Sequence, residues 1–205
     1  MRDDLDPRLN LVVVSTLRPT QMTVGMIEVA RKRHEWRARV ASDGPQFLGS
    51  HMIPVVIGPR QVPWMIDHHH LALALLEEGV EHVAMSVVAK LDHLKKTAFL
   101  TFMANRNWLH TFDAKGRRRE YAAIPRTLSK MTDDPYRSLA GAVRRAGGYA
   151  KSETPYSEFL WADFLRNRIA TKVIAQDFER ALTKALKLAH APIANHLPGW
   201  CGPSS

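Results

Sequence analysis

Cysteine is almost missing from this chain. Cys201, near the tail, is the single one among 205 residues, which excludes an internal disulfide framework and suits a reducing compartment. Long apolar runs are missing too. No stretch approaches the roughly 18 residues that a membrane-spanning helix requires. The opening M-R-D-D-L-D-P-R is acidic and has no apolar core segment, unlike a secretory signal. A cytoplasmic protein without a membrane partner is the expectation. No internal repeat and no low-complexity segment is found, which excludes a repeat array. Ligand pairs at metal-site spacing are also lacking: there is no His-x-x-x-His and no cysteine pair.

Acidic charge is in short supply. Lys and Arg total 29 against 20 Asp and Glu, a formal net charge of +9. Residues 1–110 carry 13 basic and 11 acidic side chains, a net of +2, and residues 111–205 carry 16 and 9, a net of +7. A basic second half attracts phosphates or an acidic surface; the same charges also suit solvated helix faces.

What is present orders readily. L-N-L-V-V-V-S (9–15) predicts a first strand, closed by L-R-P-T-Q (17–21). Val24, Ile27, Ala30 and Trp36 have the spacing of an amphipathic helix reaching about Ala41, with Ser42-Asp43-Gly44-Pro45 as its stop. M-I-P-V-V-I-G-P (52–59) predicts a buried strand, and R-Q-V-P-W-M-I-D (60–67) a second one after a tight Gly58-Pro59 turn. A helix over Leu71–Glu78 with Gly79 just past its end, a strand over 82–91 and a helix over 94–108 complete β-α-β-β-α-β-α. D-A-K-G-R-R-R-E (113–120) marks a boundary. Beyond it the signals are helical: Asp134-Pro135 and Thr154-Pro155 as helix starts, Gly147-Gly148 as a stop, and a last helix over Gln176–Ala189. Trp64 and Trp161 are expected in a core or interface. The fold class is α+β, with a domain over 8–110 and a helical extension over 120–190.

The chemistry concentrates at Asp67-His68-His69-His70, between a strand and a helix. Asp67 suits the cap of that helix. A helix start is an anion site, and imidazoles beside it can donate to phosphate oxygens or act as acid and base near neutral pH. Successive residues of a helical turn point about 100° apart, so the three histidines cannot all converge on one ligand. A magnesium ion brought with a nucleotide fits a single carboxylate, Asp67; a metal held by the protein alone is the competing idea. Glu28 is either a surface carboxylate or an acid/base facing Asp67. Thr20 and Gln21 either hold a ligand or only form a turn. His51 either completes the pocket or is a loop residue. Arg117, Arg118 and Arg119 either touch nucleic acid or are a solvated linker.

Leu17-Arg18-Pro19-Thr20-Gln21, Val24-Gly25-Met26-Ile27-Glu28-Val29 and Ile66-Asp67-His68-His69-His70 resemble the motifs of the ParB-like nuclease group, within the ParB N-terminal and sulfiredoxin superfamily. The resemblance spans about residues 8–110. D-P-Y-R-S-L-A (134–140) and E-F-L-W-A-D-F-L-R (158–166) resemble that group's helical extension. It implies a small mixed sheet with helices, followed by that extension. It also implies a nuclease or nucleotide-dependent phosphotransferase, with Asp67, His69, His70 and Glu28 in catalytic roles and Thr20, Gln21 and His68 binding ligand. Magnesium with a nucleotide is the implied cofactor. Against the D-G-H-H-R of a kinase member, His68 stands for the glycine and Leu71 for the arginine, and Gln21 stands where kinase-like members have an acid. Partners implied are a nucleotide or other phosphate-bearing small molecule, with nucleic acid as an alternative for a non-catalytic module using the basic half, and a metal-dependent hydrolase as a second alternative. Replacing His69 and His70 together by Ala is expected to abolish binding with little change in melting temperature.

Overall fold

The computed structural model describes residues 10–203. Along the chain run β1 (Asn10–Val13), β2 (Arg18–Pro19), β3 (Thr23–Val24), α1 (Met26–Ser50), β4 (Ile53–Gly58) and β5 (Val62–Met65). Then follow α2 (His69–Glu77), β6 (His82–Lys90), α3 (Lys96–Asn105), β7 (Thr132–Asp133), α4 (Pro135–Arg145), α5 (Ser157–Arg166), α6 (Thr171–Gln176) and α7 (Phe178–His190). Contacts divide the chain into two units. The first holds residues up to Met22, Val29–Thr111 and Glu120–Met131, and the second holds Thr23–Glu28, Phe112–Arg119 and the chain from Thr132 onward.

The first unit is built on a mixed sheet in the order β1-β6-β4-β5-β2. β1 lies antiparallel to β6, β6 parallel to β4, β4 antiparallel to β5, and β5 parallel to β2. β4 takes the centre because its run I-P-V-V-I-G is apolar on both faces, which only a strand covered on both sides can bury. Gly58 ends it at a close approach: a Cβ there would come within 2.7 Å of Phe99 and 2.8 Å of Trp64. Those two rings, 5.3 Å apart, join Val56, Leu100, Met103, Leu109 and Ile124 in a core beneath α3. L-R-P-T-Q, expected as a closing loop, instead supplies β2, an edge strand. Its proline is tolerated there because an edge strand has one side without ladder partners. The expected first strand begins at Leu9, outside the described residues; of its described part, Asn10–Val13 is strand, but Val14 and Ser15 belong instead to a short 3-10 turn over Val14–Thr16.

Helix α1 does not stop near Ala41 as expected but continues to Ser50. Phe47, 2% exposed, lies 5.5 Å from the Trp36 ring and stacks on His51 at 4.2 Å. Burying that aromatic requires the last turns to stay helical, and this tertiary gain overrides the local stop signal. His51 is thereby held at the helix end, its Nδ1 2.8 Å from the Phe47 carbonyl. Helix α2 ends as expected: Gly79 has φ 73, the Val80 N–H donates to the Leu75 carbonyl and the Gly79 N–H to that of Leu76.

In the second unit β3 and β7 pair in parallel over two residues each, a contact that the uniformly helical expectation lacked. Asp134 caps α4 as expected, accepting the Tyr136 N–H at 3.0 Å with Pro135 at the first helical position. Gly147, at φ 83, closes that helix. Thr154 does not cap α5. Its carbonyl first accepts the Ser157 N–H, and the chain passes through Tyr156 at φ 59 before the helix begins. The expected last helix also starts later: Asp177 breaks the run, ends α6 and caps α7 by accepting the Arg180 N–H. Trp161, fully buried, stacks on Tyr149 at 4.2 Å and donates to the Pro198 carbonyl. The basic stretch expected as a boundary is an ordered turn. Asp113 accepts the amides of Lys115 and Arg117, Gly116 has φ 71, and Phe112 bridges Arg118. Among the described residues no helix is long and apolar enough to cross a membrane.

Candidate functional site

The junction between β5 and α2 is held from three directions within the first unit. β5 delivers Asp67 by pairing with β4, and β2 runs beside it with Arg18 opposite Trp64 and Pro19 opposite Met65. That register brings Thr20, 2% exposed, to α2. The Thr20 hydroxyl donates to the Met65 carbonyl at 2.8 Å, and the Thr20 N–H donates to His69 Nε2 at 3.2 Å. A ring nitrogen that accepts an N–H carries no proton, so His69 is a neutral imidazole with its proton on Nδ1. Gln21 is buried and bridges His110, whose N–H donates to the Thr20 carbonyl at 2.8 Å. The far end of α2 is clasped by α1. Arg33 and Arg37 both grip the Glu78 carboxylate, at 2.5 and 2.6 Å, and Arg33 also reaches Glu77 at 2.8 Å. The Arg37 hydrogen bond, followed by that of Arg33, holds the Glu78 carboxyl down to about 2.

Asp67 is not the cap expected of it. The cap position belongs to His68, which has φ 64 and makes no side-chain capping bond. Asp67 Oδ1 accepts the His68 N–H at 2.6 Å, one residue short of the helix. The reason is the left-handed turn: a residue at positive φ reverses the chain locally, and the carboxylate then meets the amide beside it rather than those of the first helical turn. This also explains the glycine of the related D-G-H-H-R motif, since glycine takes positive φ without steric cost. Histidine pays about 1 kcal/mol there.

The three histidines divide by exposure. His69 is buried, His68 and His70 are half-buried, and Asp67 is exposed. His69 is therefore a positioning residue, tying β2 to α2. Removing it would leave the Thr20 amide without that acceptor. Asp67 and His70 are the groups a ligand can reach. Asp67 Oδ2 has no partner among the described residues, and one exposed carboxylate suits a magnesium ion that arrives with phosphates. Among the described residues no three His, Cys, Asp or Glu side chains gather as a metal site.

Glu28 belongs to the second unit, where Arg145 holds both its oxygens at 2.5 Å and Gly141 leaves it room. Arg117, Arg118 and Arg119 lie exposed on the ordered turn, Arg119 being 3.5 Å from Asp113. Two residues went unselected in the sequence, Arg18 and Arg126. Arg18 lies inside the L-R-P-T-Q motif, and only the pairing of that motif with β5, which no local signal announces, brings it opposite Trp64.

The chain belongs to the family described as "Putative ParB-like nuclease", whose model matches residues 11–167. It is similar to the crystal structure of protein Atu1540 from Agrobacterium tumefaciens, at 50% identity and a TM-score of 0.89, covering 97% of this chain and 100% of that one. No curated protein matches it.

Proposed function

We propose that the β5–α2 junction binds a nucleotide or another phosphate ester, and that the reaction class is phosphoester cleavage or phosphoryl transfer. The observation that carries this reading is the division of labour among the histidines. His69 is used up in holding Thr20 to α2, while Asp67 stays exposed at the helix start with one oxygen toward solvent. A fold that only needed a turn has no use for that arrangement. The positive end of α2 favours a phosphate. His68 and His70 flank it as hydrogen-bond donors, with His70 the acid or base. Asp67 takes the magnesium ion that accompanies a nucleotide; such an ion, when bound, neutralises phosphate charge. Thr20 and Gln21 shape the floor from β2. Glu28 is left out of the chemistry because Arg145 occupies it. A cytoplasmic location belongs to the same reading.

The test is a thermal-shift panel of nucleotides and phosphate, each with and without magnesium, on the wild-type chain and on Asp67→Asn and His70→Ala. One nucleotide is expected to stabilise the wild type saturably, by about 2.7 kcal/mol at a hundredfold excess over Kd. Both variants should lose that response while keeping the unliganded melting temperature. An unaltered response in both would defeat the proposal.

A second reading rests on the exposed, ordered turn bearing Lys115, Arg117, Arg118 and Arg119, which suits a nucleic-acid backbone. Salt-dependent DNA binding that survives His70→Ala but is lost when Arg117, Arg118 and Arg119 become Gln would favour it.

A further inference from the structure

Several arginines of this protein are matched to acids: Arg33 meets Glu77 and Glu78, Arg144 meets Glu158, Arg145 meets Glu28, and Arg166 meets Asp134 and Asp163. Arg18 has no such match. It lies on β2, the terminal strand of the first unit's sheet, directly opposite Trp64. Its guanidinium carbon is 4.8 Å from the centre of the Trp64 ring. Its Nε is buried and has no hydrogen-bond partner. The charged neighbour acting on it is another cation, Arg126; burial comes first and Arg126 second in pushing the Arg18 pKa below its ordinary value. Among the described residues no carboxylate makes an ion pair with either arginine.

Arg126 lies two residues after Ile124, which is buried in the same core as Trp64, the ring that Arg18 covers. Two guanidiniums brought together without an acid repel each other, and neither escapes by losing its proton near neutral pH. An orphaned N–H behind one of them adds a donor that water does not satisfy. A tetrahedral oxyanion answers all three conditions: it neutralises both charges, accepts the buried N–H, and matches the planar guanidinium fork bidentately. We propose that Arg18 and Arg126 form a two-guanidinium site for a phosphate-class oxyanion at the β2 edge of the sheet, with Trp64 as the platform that orients Arg18. The site goes beyond the junction reading, since it uses none of Asp67, His68, His69 or His70, and each can stand without the other.

The test titrates the full chain calorimetrically with inorganic phosphate in one arm and a short oligothymidylate in the other. Wild type, Arg18→Gln, Arg18→Lys, Arg126→Gln and His70→Ala are compared. Saturable binding by wild type is expected, weakened roughly tenfold or more in each Gln variant and in Arg18→Lys, which keeps the charge but loses the fork. His70→Ala should lose only binding that belongs to the junction and keep the component that the arginine variants lose. Response to phosphate assigns the site to a free phosphate or monoester; response to the oligonucleotide alone assigns it to a backbone phosphodiester. Should Arg18→Gln fail to fold by circular dichroism, the exposed Arg126→Gln decides the matter. Unchanged affinity in the folded arginine variants, or no saturable binding of either probe, overturns the proposal. So does binding lost only in His70→Ala, a result that would instead support the junction.

Discussion

Helices α2 and α4 each have an acidic residue at or beside their start, and the acid does different things at each. Before α4, Asp134 is 1% exposed and wholly used: it accepts the Tyr136 N–H, and Arg166 holds it at 2.8 Å while stacking over the Tyr136 ring. Before α2, Asp67 is exposed, stands one residue too early to cap, and the chain enters the helix through a strained histidine. The first is a finished piece of architecture. The second keeps a carboxylate oxygen, two half-buried imidazoles and a helix dipole within reach of solvent, at a cost in backbone strain. Tyr156 before α5 also has positive φ, so it is the exposed carboxylate beside the turn that sets the α2 start apart.

The contrast breaks most visibly at Asp134. Asp134→Ala removes a cap and leaves Arg166 without its buried partner, so unfolding by denaturant should show a loss of about 3–5 kcal/mol. A loss below about 1 kcal/mol would put the two helix starts on the same footing. Next comes His69→Ala, which orphans the Thr20 amide. Chemical denaturation should report about 1–3 kcal/mol, in contrast to His70→Ala, expected within about 0.5 kcal/mol of wild type. Equal losses for the two would dissolve the distinction between a positioning and a ligand-facing histidine. His68→Gly should go the other way, raising stability by about 0.5–1 kcal/mol through relief of the positive φ; a fall in melting temperature would mean the imidazole itself holds the turn.

The smallest effect concerns the far end of α2. Because the Glu78 carboxyl is held at about 2 against its ordinary 4.5, the Arg33 and Arg37 contacts contribute stability above pH 4.5. That contribution fades as pH falls through the interval toward 2. Acid titration of Glu78→Gln should show a slightly shallower loss than wild type over that interval, and identical curves would dismiss the clasp as a stability element.

Local chemistry was legible in the sequence. Asp134-Pro135 and Gly79 declare themselves because a cap or a left-handed terminator involves residues within a turn of one another. The strands of the first unit were legible for a similar reason, since apolar runs bounded by Gly and Pro leave few alternatives. What escaped depends on partners far along the chain. The continuation of α1 past Gly44-Pro45 follows from burying Phe47 against Trp36. The pairing of Thr23–Val24 with Thr132–Asp133 joins segments over a hundred residues apart. At the junction the residue types were readable, but their separate roles were not: that His69 faces inward to Thr20 depends on β2 being a strand, and nothing within L-R-P-T-Q announces one.

The second unit has a discontinuous make-up with consequences for how the chain can be made. Its first contribution is Thr23–Glu28, and several groups that secure that piece come late. The Met26 N–H donates to Asp133, the Ile27 N–H to Ser138, and Glu28 waits for Arg145. As the chain leaves the ribosome, the opening turn of α1 therefore remains without these acceptors until some 110 further residues have been synthesised. Contacts of such separation slow folding. A fragment cut at the basic turn near residue 113 would carry an α1 whose first N–H groups have lost both acceptors and whose Glu28 has lost its arginine. Anyone seeking the first unit alone should keep Glu120–Met131, which belongs to it, and supply a new cap before Met26.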